Sequence, residues 1–263
     1  MMKNEWIKRS YNITNAGHYL DKLSEIYQVN LNPERSVSDA SIKMIKEVFD
    51  KESNSDLVRK LLTLERFPID DPYVSIMRAS PSLIDENPET VERIGKNLRN
   101  LGYEKLVALT KQPMSASRQM GNAFKGWLKR SGYPFLNYDE FHNYSDENVV
   151  FLSGSDKVLK KYVTSELKVK LGDTKKGLDI VFRKGIKYCF GEAKFITASG
   201  GTQTNQLDIA LDVADLNKKD GVFSVAILDG VVWFNSSYLE KIRSRSDKNI
   251  ITGLLLKEFL ECF

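Results

Sequence analysis

The sequence predicts an α/β (α+β) fold, in which a mixed central β-sheet is flanked by helices and preceded by an N-terminal helical region. Three observations lead to this prediction. Apolar residues follow helical spacing over the first hundred or so positions, short β-prone runs follow from about Val149, and helical spacing returns between and after those runs. We therefore expect a helical region over residues 1–110 and a sheet-containing domain over residues 111–263.

Composition restricts the class of protein before any motif is considered. The chain has 263 residues, of which 41% are hydrophobic, so it can bury a sizeable core. Its net charge of +4 permits a polyanionic partner. No run of about 18 apolar residues occurs, which argues against a membrane span. Cys189 and Cys262 lack metal-ligand spacing. Free thiols in a reducing compartment are the simplest interpretation, so we expect a cytoplasmic protein.

Several helices are predicted in the N-terminal region. Ser38 is placed to cap a helix whose apolar residues continue to Phe49 at spacings of three and four. A second amphipathic run covers Asp56–Phe67. A third helix is predicted to begin at Asn87, as a capping residue followed by proline, and to stop at Gly102.

A further helix is predicted from about Ser115 to Lys129, and its two faces differ. Met120, Phe124 and Leu128 fall within one arc and predict a face docked on a core. The opposite face carries the polar residues Arg118, Asn122, Lys125 and Lys129. Such a stripe is either an ordinary solvated face or a surface that contacts nucleic acid.

The β-prone runs predict the strands of the sheet. They are Tyr162–Leu171, Leu178–Phe182, Ile186–Phe195, Val222–Leu228 and Val231–Phe234. Hairpin turns are predicted at Arg183-Lys184-Gly185 and at Asp229-Gly230. Helices are predicted at Asn205–Leu216 and Ile251–Phe263.

Two carboxylates and a lysine stand on the first predicted hairpin. Strand alternation places Asp179 and Val181 on one face of their strand, and Glu192 and Lys194 on one face of theirs. Charged groups beside apolar neighbours are costly to bury unless a metal or a partner charge compensates them. The alternative is an edge strand whose charged residues lie in solvent.

These residue types suit metal-dependent phosphodiester hydrolysis. Asp179 and Glu192 offer the oxygen ligands that Mg²⁺ prefers, and the Ala193 carbonyl is a further candidate ligand. Water bound to such a metal is more acidic than bulk water, and Lys194 is placed to orient or deprotonate it. We therefore predict Asp179, Glu192 and Lys194 as catalytic residues.

The motif resembles the PD-(D/E)xK nuclease superfamily, and most closely its type II restriction endonucleases. The resemblance rests on Gly177-Leu178-Asp179 followed by Gly191-Glu192-Ala193-Lys194. It implies a restriction-endonuclease-like fold in which Asp179 and Glu192 bind catalytic Mg²⁺ and Lys194 assists the attacking water. Leu178 stands where the family usually has proline. Asn122 offers no carboxylate on the helix that often adds an acidic residue in these enzymes. The resemblance covers about Ser115–Phe234.

A polar, glycine-containing segment follows the lysine, from Thr197 to Gln206, and resembles the loop found there in several such enzymes. Its glycines allow a close backbone approach, and its amides suit hydrogen bonds to base edges. Its Ser and Thr hydroxyls, or a helix N-terminus, would instead suit a phosphate. The DNA-binding candidates in it are Gly200, Gly201, Thr202, Gln203, Asn205 and Gln206. The alternative is a flexible surface loop.

The functional prediction is a Mg²⁺-dependent type II restriction endonuclease, the hydrolase of a restriction-modification system, that cuts double-stranded DNA at a short specific sequence. We expect a homodimer, in which residues 1–110 dimerise or embrace DNA. No membrane and no small-molecule cofactor beyond the divalent metal are expected. Two alternatives remain: another PD-(D/E)xK nuclease of DNA repair or recombination, and a non-catalytic DNA-binding protein of the same fold.

Overall fold

The computed structural model describes residues 5–28, 36–112, 116–171, 178–216 and 220–263, and for residues 116–118 only the backbone. Gly177 of the predicted motif lies outside these ranges. The described chain forms two units. Residues 36–112 belong to a helical unit, and residues 5–28 join the chain from Ala116 onward in a second unit that contains the sheet.

The described helices, in chain order, are α1 (Trp6–Asn15), α2 (Tyr19–Ile26), α3 (Asp39–Asp50), α4 (Asn54–Leu62), α5 (Pro72–Ala79), α6 (Leu83–Glu86), α7 (Pro88–Asn100), α8 (Tyr103–Thr110), α9 (Ala116–Arg130), α10 (Tyr138–His142), α11 (Asp156–Ser165), α12 (Gly201–Ala214), α13 (Ser236–Arg243) and α14 (Leu256–Cys262). The described strands are β1 (Phe135–Leu136), β2 (Val150–Leu152), β3 (Ile180–Lys184), β4 (Lys187–Ile196), β5 (Val222–Gly230) and β6 (Ile250–Ile251). Short 3₁₀ helices cover Val231–Trp233 and Gly253–Leu255. None of these helices has the length and apolar character that a membrane span needs.

The helical unit contains α3 to α8. As predicted, Ser38 caps α3, because its hydroxyl accepts a hydrogen bond of 3.2 Å from the Ser41 N–H. Pro88 opens α7, also as predicted, but the Asn87 side chain does not cap it and instead donates to the Leu83 carbonyl. The core of the unit consists of fully buried side chains, including Ile45, Leu57, Leu61, Ile94 and Leu98.

The predicted mixed sheet is confirmed. Its strands lie side by side in chain order, from β1 to β6. Strands β2, β3 and β4 pair antiparallel, whereas β1 with β2, β4 with β5 and β5 with β6 pair parallel. The predicted hairpin at Arg183-Lys184-Gly185 joins β3 to β4, with Ile180 paired to Gly191.

Apolar cores cover both faces of the sheet. Ile180 and Cys189 belong to a cluster that includes residues of α1, α2, α9, α12 and α14. Val181 and Phe190 belong to a second cluster with residues of α10 and α11. Side chains two residues apart in a strand share a face. Asp179 therefore lies on the same face as Val181, and Glu192 on the same face as Phe190, which is the face of the second cluster.

Helices α1 and α2 belong to the sheet unit and pack at the ends of its strands, although they lie within the helical region predicted for residues 1–110. The hydroxyls of Tyr19 and Tyr27 donate to the Asp229 carboxylate at 3.0 and 2.8 Å. The Ser10 hydroxyl accepts from the Thr252 N–H at 3.0 Å. These buried bonds fasten the first described residues to the ends of β5 and β6.

The predicted strand Tyr162–Leu171 is wrong. Its first residues belong to α11, and no residue from Glu166 to Leu171 lies in a strand. Leu159, Tyr162 and Val163 are buried together at helical spacing. Packing of that face outweighs the β-propensity of Tyr and Val, which depends strongly on context.

The predicted hairpin at Asp229-Gly230 is also wrong. Strand β5 continues through Gly230 and is followed by a 3₁₀ helix rather than a strand. The Trp233 indole donates to the Leu228 carbonyl at 2.7 Å and folds this segment back onto the end of the strand. Asp229 is fully buried, because its carboxylate is used in hydrogen bonds rather than in a solvated turn.

Three predicted boundaries shift. Helix α12 begins at Gly201 rather than Asn205, so the polar loop after β4 is shorter than predicted. Helix α4 covers Asn54–Leu62 rather than residues 56–67, because the Ser53 hydroxyl accepts from the Asp56 N–H and starts the helix earlier. The predicted C-terminal helix is preceded by β6 and a 3₁₀ turn.

Candidate active site

The structure brings Asp179, Glu192 and Lys194 together where β3 begins beside β4. The Asp179 N–H donates to the Gly191 carbonyl at 3.0 Å, which continues the ladder one step beyond the pair Ile180–Gly191. This register sets Asp179 opposite Glu192. The side chains of all three residues therefore meet on one face, as the spacing predicts.

Hydrogen bonds and ion pairs occupy both oxygens of Asp179. Oδ2 accepts from the Ala193 N–H at 3.1 Å and lies 3.4 Å from Lys194 Nζ, and Oδ1 lies 3.0 Å from Lys125 Nζ. Burial alone would raise the pKa of Asp179. The two lysines and the Ala193 N–H outweigh burial and hold the pKa below its usual value.

Glu192 is buried, with 2% of the residue exposed. Its Oε1 accepts a hydrogen bond from Lys194, whereas Oε2 has no hydrogen-bond partner among the described residues. Burial, reinforced by the nearby Asp179, raises the pKa of Glu192 to about 7, against the opposing effect of Lys194. A buried carboxylate oxygen without a partner is costly unless a ligand satisfies it.

Lys194 holds the two carboxylates together. Its Nζ contacts Glu192 and Asp179 and lies 3.3 Å from the Ala193 carbonyl oxygen. Burial tends to lower the pKa of Lys194, but the two carboxylates more than compensate and raise it. The ammonium therefore stays charged in this arrangement.

The donor set fits a hard divalent cation. Among the described residues, no group of three or more His, Cys, Asp or Glu side chains is arranged to hold a metal. Two carboxylates suffice for Mg²⁺, which keeps several waters and commonly takes only one or two protein carboxylates. The unpartnered Oε2 of Glu192 beside Asp179 is the observation that supports this fit.

Two further charged residues belong to the site. Lys125 Nζ, from α9, bridges Asp179 and Asp156, lying 2.7 Å from Asp156 Oδ1. Asp156 was not predicted as a site residue, because its contact with Lys125 arises from the tertiary packing of two helices. The helical spacing of Leu159, Tyr162 and Val163 after Ser155-Asp156 was the signal that would have placed it at a helix start.

The structure divides the predicted polar stripe of α9. Met120, Phe124 and Leu128 are buried, as predicted. Lys125 is half-buried at the site, whereas Asn122 and Lys129 are exposed away from the core. The side chain of Arg118 lies outside the described residues.

The predicted DNA-binding loop forms the start of α12. Gly200, Gly201, Thr202 and Asn205 are exposed, and Gln206 is half-buried. Gln203 instead has a structural contact, because its Oε1 accepts from the Thr197 N–H at 3.2 Å. The Gly200 N–H donates to the Tyr238 hydroxyl at 2.9 Å. The loop is thus fastened at both ends, a few residues beyond Lys194.

The chain was compared with known proteins. The family model described as Tsp45I type II restriction enzyme matches residues 4–263. No curated protein and no solved structure matches. The family match spans both the helical unit and the sheet unit that carries the carboxylates and Lys194. The chain therefore belongs to the Tsp45I type II restriction enzyme family.

Proposed function

We propose that this restriction endonuclease is a Mg²⁺-dependent member of the PD-(D/E)xK superfamily and that Asp179, Glu192 and Lys194 cut double-stranded DNA. Family membership supports a site-specific DNA nuclease. The observation that carries the catalytic assignment is the convergence of the three side chains around the unpartnered Glu192 Oε2. We identify this cluster as the catalytic centre.

Each residue has a distinct role in this proposal. Asp179 and Glu192 would hold the cation, with the Ala193 carbonyl as a third protein oxygen. When bound, the cation neutralises charge on the scissile phosphate and makes the attacking water more acidic. Lys194 orients that water, because its ammonium is fixed by both carboxylates. Since every one of these groups lies on the β3–β4 hairpin, the strands preorganise the site.

DNA contacts are proposed on both sides of this centre. Lys129 and Asn122 on α9 would follow the phosphate backbone, together with Arg118 and Lys125. Gly200, Gly201 and Thr202 leave the start of α12 open to a phosphate, which a helix N-terminus attracts. Asn205 and Gln206 are the candidates for base contacts. Gln203 is proposed to support the loop while contacting DNA.

The oligomeric state and location are also proposals. Two-fold symmetric DNA sites favour a homodimer, and the helical unit within the predicted region 1–110 is proposed to dimerise or embrace DNA. The two free cysteines fit a reducing compartment such as the cytoplasm.

The test is cleavage of a long linear DNA of known sequence with Mg²⁺. Asp179→Asn, Glu192→Gln and Lys194→Met should each lower the cleavage rate by about 10³-fold or more, since each removes charge placed at the reaction centre. Asp212→Asn, an exposed acid on α12, is the matched control and should cut like the wild type. EDTA should abolish cleavage by the wild type and by the Asp212→Asn control.

The form of the product distinguishes the proposal from its rivals. Discrete bands indicate site-specific restriction, and a smear indicates an exonuclease of repair or recombination. Binding without cutting by the wild type indicates a non-catalytic DNA-binding protein. Full activity in any one of the three site variants would overturn the assignment of that residue.

A further inference from the structure

Lys125 occupies a position that the proposed chemistry does not explain. In the described structure its Nζ lies 3.0 Å from Asp179 Oδ1, on the carboxylate that would hold the cation. The other oxygen of Asp179 is already bonded to the Ala193 N–H and lies near Lys194. Lys125 therefore neutralises the one oxygen of Asp179 that Lys194 leaves accessible.

Asp156 provides a second anchor for the same ammonium. Its Oδ1 lies 2.7 Å from Lys125 Nζ, and its side chain is about half exposed. Because Asp156 stands at the first turn of α11, it is outside the β3–β4 hairpin. Lys125 has a flexible four-carbon stem. Its ammonium can thus leave Asp179 while staying paired with Asp156.

We propose that Lys125 is a positioning residue that acts as an internal counter-cation. It holds Asp179 in the metal-free enzyme and transfers to a DNA phosphate, with Asp156 as pivot, when the site is loaded. This inference rests on the proposed metal-dependent function. Lys125 and a divalent cation are both positive, so they cannot share Asp179 Oδ1 without strong repulsion.

Coupling between metal and DNA follows from this exchange. A DNA phosphate draws Lys125 away from Asp179, so DNA should tighten metal binding, and metal should tighten DNA binding by the same factor. Without DNA, Lys125 keeps metal affinity low. Lys125 thereby restricts binding of the divalent cation at the catalytic centre to enzyme that is bound to DNA.

The test is a titration of the DNA-free protein with Mn²⁺. Electron paramagnetic resonance measures the free Mn²⁺ that remains, and so gives the amount bound. Lys125→Gln should bind Mn²⁺ about tenfold more tightly than the wild type, which corresponds to about 1.4 kcal/mol. Lys125→Arg keeps the charge and should restore weak binding. Lys157→Gln, the same change at an exposed neighbour of Asp156, should match the wild type.

A second measurement keeps the test independent of any folding defect. Near-ultraviolet circular dichroism should show native packing of the variants, and Lys125→Met offers an alternative to Lys125→Gln. Lys125→Gln is expected to bind Mn²⁺ more tightly than the wild type. It should nevertheless cleave DNA at least about tenfold more slowly than the wild type, because it lacks the phosphate contact.

The outcomes separate this inference from the proposed function. Equal or weaker Mn²⁺ binding by folded Lys125→Gln, with binding that Asp179→Asn abolishes, overturns the counter-cation role and leaves the metal site standing. Mn²⁺ binding that Asp179→Asn leaves unchanged overturns both. No binding by any of the DNA-free proteins, Lys125→Gln included, overturns the counter-cation role, and the cleavage assay with Mg²⁺ and EDTA then decides the proposed function.

Discussion

Two buried carboxylates in the sheet unit differ in how their oxygens are satisfied. Asp229 accepts hydrogen bonds from Tyr19, Tyr27, Thr252 and the Gly253 N–H. Glu192, by contrast, has one oxygen without a partner among the described residues. The first arrangement is complete and fastens α2 to the ends of β5 and β6. The second is incomplete, which is why we propose ligand binding for Glu192 and a structural role for Asp229.

The Asp229 network predicts a pH-dependent stability. Burial raises the pKa of Asp229 from 3.8 to about 6, against its hydrogen-bond donors. The folded protein therefore binds this proton more tightly than the unfolded chain. The stability contributed by protonating Asp229 in the folded protein is fully present below about pH 3.8, and it is lost as the pH rises through about 6. The loss should approach about 3 kcal/mol, at about 1.4 kcal/mol per pKa unit.

Urea unfolding of the wild type and Asp229→Asn between pH 4.5 and 7.5 measures this effect. The asparagine of the variant does not titrate. Both proteins retain Glu192 and Asp179, so the titration of these two residues cancels in the comparison. The free energy of unfolding of the wild type should fall relative to that of the variant as the pH rises. A difference between the two proteins that stays constant across this range would contradict the raised pKa of Asp229.

Individual residues were predictable where strand geometry alone decides their position. Asp179, Glu192 and Lys194 meet because two strands joined by a short turn have one register, and side chains alternate between faces. Asp156 was missed, because it comes from a helix whose contact with Lys125 depends on tertiary packing. The partners of Lys125 were missed for the same reason.

At the scale of elements, Gly191 controls how closely β4 approaches β5. A Cβ added at Gly191 would lie 2.5 Å from the Val225 carbonyl oxygen. Gly191→Ala should therefore lower the unfolding free energy by about 1–3 kcal/mol through overpacking. Because Glu192 is the next residue, its displacement should also lower the cleavage rate by about 100-fold. Thermal unfolding and cleavage kinetics test the two effects.

Gly121→Ala is the matched control for this substitution. A Cβ added at Gly121 meets no atom within 4 Å, and the residue lies within α9. Alanine is preferred over glycine in a helix by about 0.5–1 kcal/mol, so this variant should be slightly more stable. A Gly191→Ala protein as stable and active as Gly121→Ala would refute the close approach of the strands as the reason for this glycine.

Elements with a cap or a hairpin turn were predictable, and those that depend on distant partners were not. The Ser38 cap and the β3–β4 turn are local signals, and both were found. Tyr162 was assigned to a strand, because β-propensity carries no information on the second apolar cluster that buries it in a helix. Asp229-Gly230 has the composition of a hairpin turn, but buried donors hold Asp229 at the end of a parallel strand.

At the scale of the whole molecule, the fold class was predictable from the order of helical and β-prone segments. The assignment of residues 5–28 to the sheet unit was not, because bonds such as Tyr19 to Asp229 join positions far apart in the chain. The family match covers residues of both units, which supports a role for the helical unit in a restriction enzyme.

The proposed homodimer is a prediction at this scale. The chain has a mass of 30.0 kDa, so a dimer has a mass of about 60 kDa, twice that value. Light scattering coupled to gel filtration, at micromolar concentration and with DNA present or absent, measures it. A mass of 30.0 kDa per protein particle both free and on DNA would exclude the dimer.

The most direct test of the proposed catalytic centre is a crystal structure of the 263-residue chain with DNA and Mn²⁺, analysed by anomalous scattering. We expect a manganese peak in contact with Asp179 and with Oε2 of Glu192, Lys194 Nζ beside it, and Lys125 moved to a phosphate. A bound metal elsewhere in the molecule, with Glu192 Oε2 still unpartnered and Lys125 still on Asp179, would contradict the account.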